Sequence, residues 1–399
     1  MQYPRTISST YMRRINRAAI LELIRREAPI ARSDIARKLN VSLPTVMRIV
    51  EDLIDSRLVL ELDETEASGG RRRRLLSFNP SENLVIGINM GGMVIFGALA
   101  DIGGTILAER RMPMSQDAEL TLEHLGQMIA DFLGNAARAG KNVLGIGIGA
   151  PGTTDKENGR VLWAPSLHWR NFPLRDRLQE RFPDLPILVD NDVNLAAVGE
   201  QWYGAGINYR NIVMVSVGNG VGGAVIIDGV LYRGGRSAAG EVGSFLPGIQ
   251  ALDFKKECFG ALEIASSGKG LLDQARARLL YQWSPTELES LNLEMIYAAV
   301  QNGEEWGRRI LQRMIDELAV LMAGVAAILD PDIIILGGDV MGLFNQNGEV
   351  LQAIRERIHG LPPNDPLLVA SQLENRGVLM GTITDLLNLT NQALTVREL

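Results

Sequence analysis

The chain has 399 residues, 46% hydrophobic and 22% charged, the make-up of a globular protein with two or three cores. Its apolar runs are too short to span a membrane, the N-terminus lacks a signal-type apolar segment, and the single cysteine, Cys258, excludes an intrachain disulfide, so a cytoplasmic location and no membrane partner are expected. The net charge of −7 hides an asymmetry: residues 1–80 carry 15 Lys/Arg against 10 Asp/Glu, the remainder 25 against 37, so only the N-terminal part suits an anionic partner.

In chain order, apolar residues at helical spacing from Ile15 through Ala18, Leu21 and Ile24 predict a helix over 15–26, which Pro29 ends. A second helix is expected over 33–39, with Ser33 as its N-cap and Ile35, Ala36 and Leu39 inward. A short turn at Asn40 and Val41 leads to a third, capped by Ser42, with Pro44 in its first turn and Val46, Ile49, Val50, Leu53 and Ile54 as its apolar stripe. This is a helix-turn-helix pattern, in which the N-terminal residues of the second paired helix reach base edges in the major groove. Ser42, Pro44, Thr45 and Arg48 are the candidates. Residues 58–62 and 75–78 read as strands of a wing, joined by a loop that contains Gly69, Gly70, Arg71, Arg72, Arg73 and Arg74. Those arginines suit phosphates or a narrow minor groove.

Beyond Pro80 the pattern changes. Strands are expected at 84–89, 94–100 and 105–110, a helix at 119–139, and strands at 143–149 and 187–189, the last running into Asp190, Asn191 and Asp192. Asp190 reads as a turn residue. A second set follows: strands at 212–217 and 224–227 around a Gly-rich turn, a helix at 304–329, a strand at 332–336 and a closing helix at 377–389. Strand, glycine turn and strand recurring in both halves predict a duplicated α/β fold with an interlobe cleft.

The segments GINMGG (87–92), GIGAPG (147–152), DNDVNLAAVGE (190–200), VGNGVGG (217–223), DGVLYRGGRSAAGEVGS (228–244), ALEIASSG (261–268) and ILGGDV (335–340) resemble the ROK family of repressors and sugar kinases, in its regulator form with an N-terminal winged helix-turn-helix. The resemblance implies the actin-like ATPase fold, a ribonuclease H-like duplicated two-lobed body. It divides the chain into a DNA-binding domain at 1–80, a first lobe at 81–191 plus 380–399, and a second lobe at 192–379 with a sugar pocket and an oligomerisation surface. By the same resemblance Asp192 matches the kinases' catalytic base, and Asn191, Glu241 and Glu263 match sugar contacts. Gly149 and Gly152 would let backbone approach the ligand.

The chain departs from the family pattern in three respects. The kinases' first phosphate motif, Asp-x-Gly-Gly-Thr-Lys, here has Asn89, Met93 and Val94 in place of its acid, hydroxyl and cation, which should remove most phosphoryl transfer. The His and three Cys of the family's structural zinc site align with Ser244, Phe254, Lys256 and Ala261, so no metal is expected; Lys255 and Lys256 would occupy that space. The same His contacts sugar in relatives, so Ser244 leaves the effector's identity open. The expected function is therefore a DNA-binding repressor of carbohydrate-related genes that is not an enzyme, needs no cofactor, acts as a homo-oligomer on operator DNA, and answers to a sugar or sugar derivative. The alternatives are an active ATP-dependent sugar kinase and a regulator controlled by a protein partner.

Overall fold

The structure, a computed structural model, describes residues 9–68, 71–92, 94–253 and 260–396. Gly69, Gly70, Met93, and the 254–259 segment with Phe254, Lys255, Lys256 and Cys258, lie outside the described residues, as do the side chains of Arg71, Arg72 and Arg73.

The N-terminal module has helix α1 (Ser9–Glu27), strand β1 (Ile30–Ala31), helices α2 (Arg32–Leu39) and α3 (Leu43–Asp55), and strands β2 (Val59–Ser68) and β3 (Arg71–Phe78), the strands forming a sheet in the order β1-β3-β2. Val46, Ile49, Val50 and Leu53 of α3 are fully buried, the apolar stripe that the spacing implies. Three expectations are corrected. Ile15 is exposed, because the inward face of α1 runs through Arg17, Ile20, Leu21 and Ile24, one helical step away. The N-cap of α2 is Ala31 rather than Ser33, because the preceding residues are extended and pair with β3 as Ile30↔Leu76 and Ala31↔Leu75. The wing is a long ribbon rather than two short strands and a loop. Its ladder runs out to Ser68↔Arg71.

The body opens with β4 (Asn83–Asn89), β5 (Val94–Asp101), β6 (Ile106–Pro113), α4 (Ala118–Arg138) and β7 (Asn142–Ala150). A small antiparallel sheet of β8 (Thr153–Asp155), β9 (Arg160–Ala164) and β10 (Trp169–Phe172) follows, then α5 (Leu174–Gln179), β11 (Ile187–Asn191) and α6 (Asp192–Tyr203). Next come β12 (Ile212–Val217), β13 (Val221–Ile227) and β14 (Val230–Tyr232), and the helices α7 (Ala261–Ser266), α8 (Gly268–Leu279), α9 (Pro285–Ser290), α10 (Leu293–Gln301) and α11 (Glu305–Leu329). The chain closes with β15 (Ile333–Gly337), α12 (Asp339–Phe344), α13 (Glu349–Ile358), β16 (Leu368–Ala370) and α14 (Gly377–Val396).

Two five-stranded sheets carry this body, in the orders β11-β7-β4-β5-β6 and β14-β13-β12-β15-β16. In each, three consecutive antiparallel strands are followed by two that join in parallel on the far side of the first. The same order and sense in both halves is the duplication that the sequence predicts. Leu84, Ile86 and Ile146 of the first sheet bury their side chains against α4 and α5, while Val85, Ala98 and Ala100 face α14. The second sheet meets α6 on one face, through Ile212 and Met214, and the remaining helices on the other, through Val213 and Val215. Alternate residues on each strand thus serve opposite faces. Helices α6 and α14 cross at backbone distance: a Cβ on Gly199 would strike the Gly377 carbonyl, and one on Gly381 the Leu195 carbonyl.

Candidate functional site

Strand β11 ends at Asn191 and α6 begins at Asp192, beside the end of β7, with Asp190 paired to Gly149 and Asn191 to Ala150. The carboxyl end of parallel strands is where such sheets receive ligands. Asn191 is the N-cap of α6: its Oδ1 accepts from the Asn194 N–H at 2.9 Å. Its Nδ2 donates to the Gly152 carbonyl at 2.9 Å and to Asp192 Oδ1 at 3.1 Å. Asp192 Oδ1 also accepts from the Val193 N–H at 2.9 Å. Its Oδ2 lies over Gly91 with no space for a Cβ there, and Gly91 N–H donates to Asn89 Oδ1 at 2.8 Å. Asn89 thus folds the loop that receives the Asp192 carboxyl. Gly149 and Gly152 are required for packing: a Cβ on the first would meet Val378 and Asp192, and one on the second, at φ +76°, the Trp163 carbonyl.

Burial pushes the Asp192 carboxyl up to about 7, and the negative charge of Glu241 adds to the rise. That influence places Glu241, of the second lobe, within electrostatic reach of Asp192. Glu241 starts the turn Val242–Ser244, and both Glu241 and Ser244 are exposed. Glu263, in the first turn of α7, braces the Gly-rich turn: its Oε1 accepts from the Val221 N–H at 3.2 Å and its Oε2 from the Gly260 N–H at 3.3 Å. A Cβ on Gly243 would touch the Glu263 Cβ at 3.4 Å, so Glu263 and the Val242–Ser244 turn are neighbours. The candidates therefore form two groups, Asn191 and Asp192 where β11 meets α6, and Glu241, Ser244 and Glu263 around the Val242–Ser244 turn. The glycine turn itself closes by a bond from Gly218 N–H to the Gly220 carbonyl at 2.9 Å, and Gly268 N–H ties it to the start of α8 at 2.8 Å.

Asp190 is corrected from a turn residue to the centre of a buried charge network. It is fully buried and takes two hydrogen bonds from Arg233, at 2.8 and 2.6 Å, with Lys156 Nζ 3.5 Å away. Lys156 also pairs with Asp385 of α14. Burial alone would raise the Asp190 pKa, but Arg233 and Lys156 outweigh it and hold the carboxyl below its ordinary range. Asp385, buried and beside Asp190, is pushed up despite Lys156. No local signal marks this network, because Arg233 lies 43 residues from Asp190 in sequence.

On the N-terminal module, Ser42, Pro44 and Arg48 are exposed and Thr45 is half-buried at the start of α3. Ser42 occupies the N-cap position but makes no side-chain cap; its hydroxyl instead bonds that of Thr45 at 2.7 Å. Arg74 is exposed and bonds Glu61, which also takes a bond from Arg32 at 2.6 Å. Hydrogen bonding from Arg74, then Arg32, holds the Glu61 carboxyl low. Arg32, at the start of α2, is a basic residue beside the wing that sequence reasoning passed over.

A winged helix-turn-helix joined to a duplicated, two-lobed body with facing carboxylates defines a DNA-binding regulator on a sugar-kinase frame. Residues 13–59 match the winged helix-turn-helix DNA-binding family and residues 85–386 the ROK family, and the chain belongs to the ROK family. It is 30% identical over 385 residues to the xylose repressor of Caldicellulosiruptor bescii, covering 94% of this chain and 96% of that one. The N-acetylglucosamine repressor of Escherichia coli O157:H7 is 26% identical over 334 residues, 82% of this chain and 81% of its own. Among solved structures, a ROK family transcriptional regulator homologous to the E. coli MLC protein superposes with a TM-score of 0.81 at 25% identity, covering 96% of this chain and 98% of that one. A ROK family glucokinase from Streptomyces griseus, solved with glucose and AMPPNP, superposes with a TM-score of 0.64 at 27% identity over 75% of this chain and 98% of its own. No helix among the described residues is long and apolar enough to cross a membrane.

Proposed function

We propose that the protein is a transcriptional repressor of carbohydrate-related genes whose hold on operator DNA is set by an aldose bound between Asp192 and Glu241. The observation that carries this reading is the Asp192 carboxyl, held at the start of α6 between Asn191 and Gly91 and close enough to Glu241 to feel its charge, in a chain similar over nearly its whole length to a xylose repressor. A sugar hydroxyl needs a donor and an acceptor, and a carboxyl that titrates near neutrality can be either. Asn191, Ser244 and Glu263 complete the polar lining, and Gly149 and Gly152 hold the floor in shape. D-xylose is the first sugar to test. Ser42, Pro44, Thr45 and Arg48 read bases, while Arg71, Arg72, Arg73 and Arg74 meet the backbone or minor groove. The protein acts in the cytoplasm as a homodimer, or a dimer of dimers, on paired half-sites. Residues 1–80 are the DNA-reading unit; α14, on the first sheet, supports assigning 380–399 to a first lobe with 81–191, and α6, on the second sheet, supports a second lobe at 192–379.

The body is not an enzyme. Asn89, where the kinases place an acid, spends its side-chain oxygen on the Gly91 amide, and Val94 brings no cation. Positioning and charge neutralisation are most of what phosphoryl transfer requires. An ATP-coupled assay on xylose and a panel of hexoses should give no turnover. Turnover that disappears in Asp192→Asn would establish a kinase instead.

A further inference from the structure

The DNA-reading module is packed into the body rather than strung from it. Ile20, Leu21 and Ile24 of α1 share a buried cluster with Ile383 and Leu386 of α14 and with Val85 and Ala98 of the first sheet. The basic end of the same helix holds a different element. The Arg25 guanidinium lies 4.8 Å from the Tyr203 ring centroid and 5.9 Å from that of Trp202, and Arg26 lies 5.9 Å from Trp202. Arg25 is set in place by Glu22, which takes bonds from its Nε and Nη2, each 2.8 Å. Trp202 and Tyr203 end α6, the helix that begins with Asp192.

We propose that α6 carries the state of the cleft to the DNA-reading module, and that the contact of Arg25 with Trp202 and Tyr203 is where it is delivered. The inference rests on reading the cleft as a sugar site. Helix α6 has 12 residues and so is about 18 Å long at about 1.5 Å per residue, spanning from the candidate site to the module. Its core contacts are with the second sheet through Val193 and Leu195, and with α14, whose Gly377 and Gly381 pack on Ala196, Gly199 and Leu195. Its far end is fixed by Glu200, which is fully buried and accepts from Ser371 Oγ at 2.6 Å and from the N–H groups of Gln372, Leu373 and Ala205 at 2.9, 2.8 and 2.8 Å. Helix α1 therefore touches both helices of the joint: its apolar face goes with α14 and the first sheet, its basic end with the end of α6, where Tyr203 also borders the α14 cluster. A change in the angle between the lobes shears α6 against α14, and α1 cannot keep both contacts unmoved. Helix α3 follows α1, since Arg13 Nη2 bonds Asp52 Oδ2 at 2.6 Å and the two helices share the buried cluster. A ligand that favours one lobe angle thereby favours one placement of the recognition helix.

The test is Arg25→Gln in the full-length chain, with affinity for the protein's own upstream DNA measured with and without D-xylose, D-glucose or N-acetyl-D-glucosamine, and sugar affinity measured by calorimetry. Arg25 touches neither candidate site. The variant is expected to bind DNA without sugar, and to bind sugar, within about twofold of wild type, while the sugar-induced change in DNA affinity, typically about 5- to 150-fold where coupling exists, collapses below about twofold. The same change in variant and wild type overturns the inference and leaves the sugar site standing. Should Arg25→Gln lose DNA binding without sugar, Trp202→Leu breaks the contact from the other side and is read the same way. A wild type unmoved by all three sugars overturns the sugar-site reading, and this inference with it.

Discussion

Arg233, which follows β14 of the second sheet, grips Asp190 of β11 in the first with two guanidinium bonds, at 2.8 and 2.6 Å, immediately beside Asn191 and Asp192. The Asp190 carboxylate is fully buried, so its charge depends on this partner and on Lys156. Removing one member of a buried pair leaves an uncompensated charge and costs roughly 3–5 kcal/mol. Arg233→Met should lower stability to urea by that order, whereas Arg233→Met combined with Asp190→Leu should recover most of the loss. A double variant as unstable as the single would show that Arg233 acts through packing.

The Asp192 carboxyl predicts a pH signature of stability. Its pKa is raised from the ordinary 3.8 to about 7. Between those values the folded state holds a proton that the unfolded state has released, so this residue's contribution declines as pH rises from about 4 to about 7 and is flat above. Asp192→Asn removes the decline. The variant should gain stability relative to wild type, on the order of 1–3 kcal/mol more at pH 8 than at pH 4.5. Denaturation at the two pH values checks this, and an equal difference at both would mean an unshifted carboxyl.

Gly91 leaves the space in which the Asp192 carboxyl lies, since a Cβ there would overlap Oδ2. Gly91→Ala should displace the carboxyl and weaken sugar binding by about tenfold or more, the loss of roughly one charged hydrogen bond. DNA affinity without sugar should be unchanged, because the substitution is remote from α3 and the wing. Calorimetry and a DNA-binding assay separate the two effects.

Two sets of basic residues on the N-terminal module should behave differently. Arg48→Ala, at the exposed start of α3, should cost about 1–3 kcal/mol on the cognate sequence and little on random DNA. Neutralising Arg71, Arg72, Arg73 and Arg74 together should weaken both and flatten the dependence of log affinity on log salt by up to about 3–4 units. Titrations at several salt concentrations check this; an unchanged slope would remove the wing from the interface.

Much of the body is legible in the sequence because buried strands running into glycine turns leave an unmistakable pattern. The strands at 84–89 and 212–217 are apolar but for Asn89 and Ser216, and the structure gives them the matching central positions of two sheets of the same order. The winged module is legible for a related reason: the stripe from Val46 to Leu53 fits one helical face. Less visible are pieces held by distant partners. Strand β1 has two residues, too short for any period, and forms only because β3 returns beside it. The arginine run reads as a loop by composition and becomes a strand because β2 runs on to Ser68 and pairs with it residue by residue. Asp190 looks like a turn residue beside Asn191 and Asp192, and what makes it otherwise, Arg233, Lys156 and Asp385, comes from three separate segments. The candidate carboxylates come from the resemblance to the ROK motifs, while Glu263's hold on the Val221 amide, and the packing role of Gly149 and Gly152, depend on approaches that a linear sequence does not display.

The most direct test of the proposal that a sugar in this cleft governs DNA binding is the affinity of wild type and of Asp192→Asn for the protein's upstream DNA across a titration of D-xylose and related aldoses. Wild-type affinity should shift by about fivefold or more with at least one sugar, and that shift should be lost in Asp192→Asn. A wild type indifferent to every sugar, or an Asp192→Asn protein that shifts as wild type does, would contradict it.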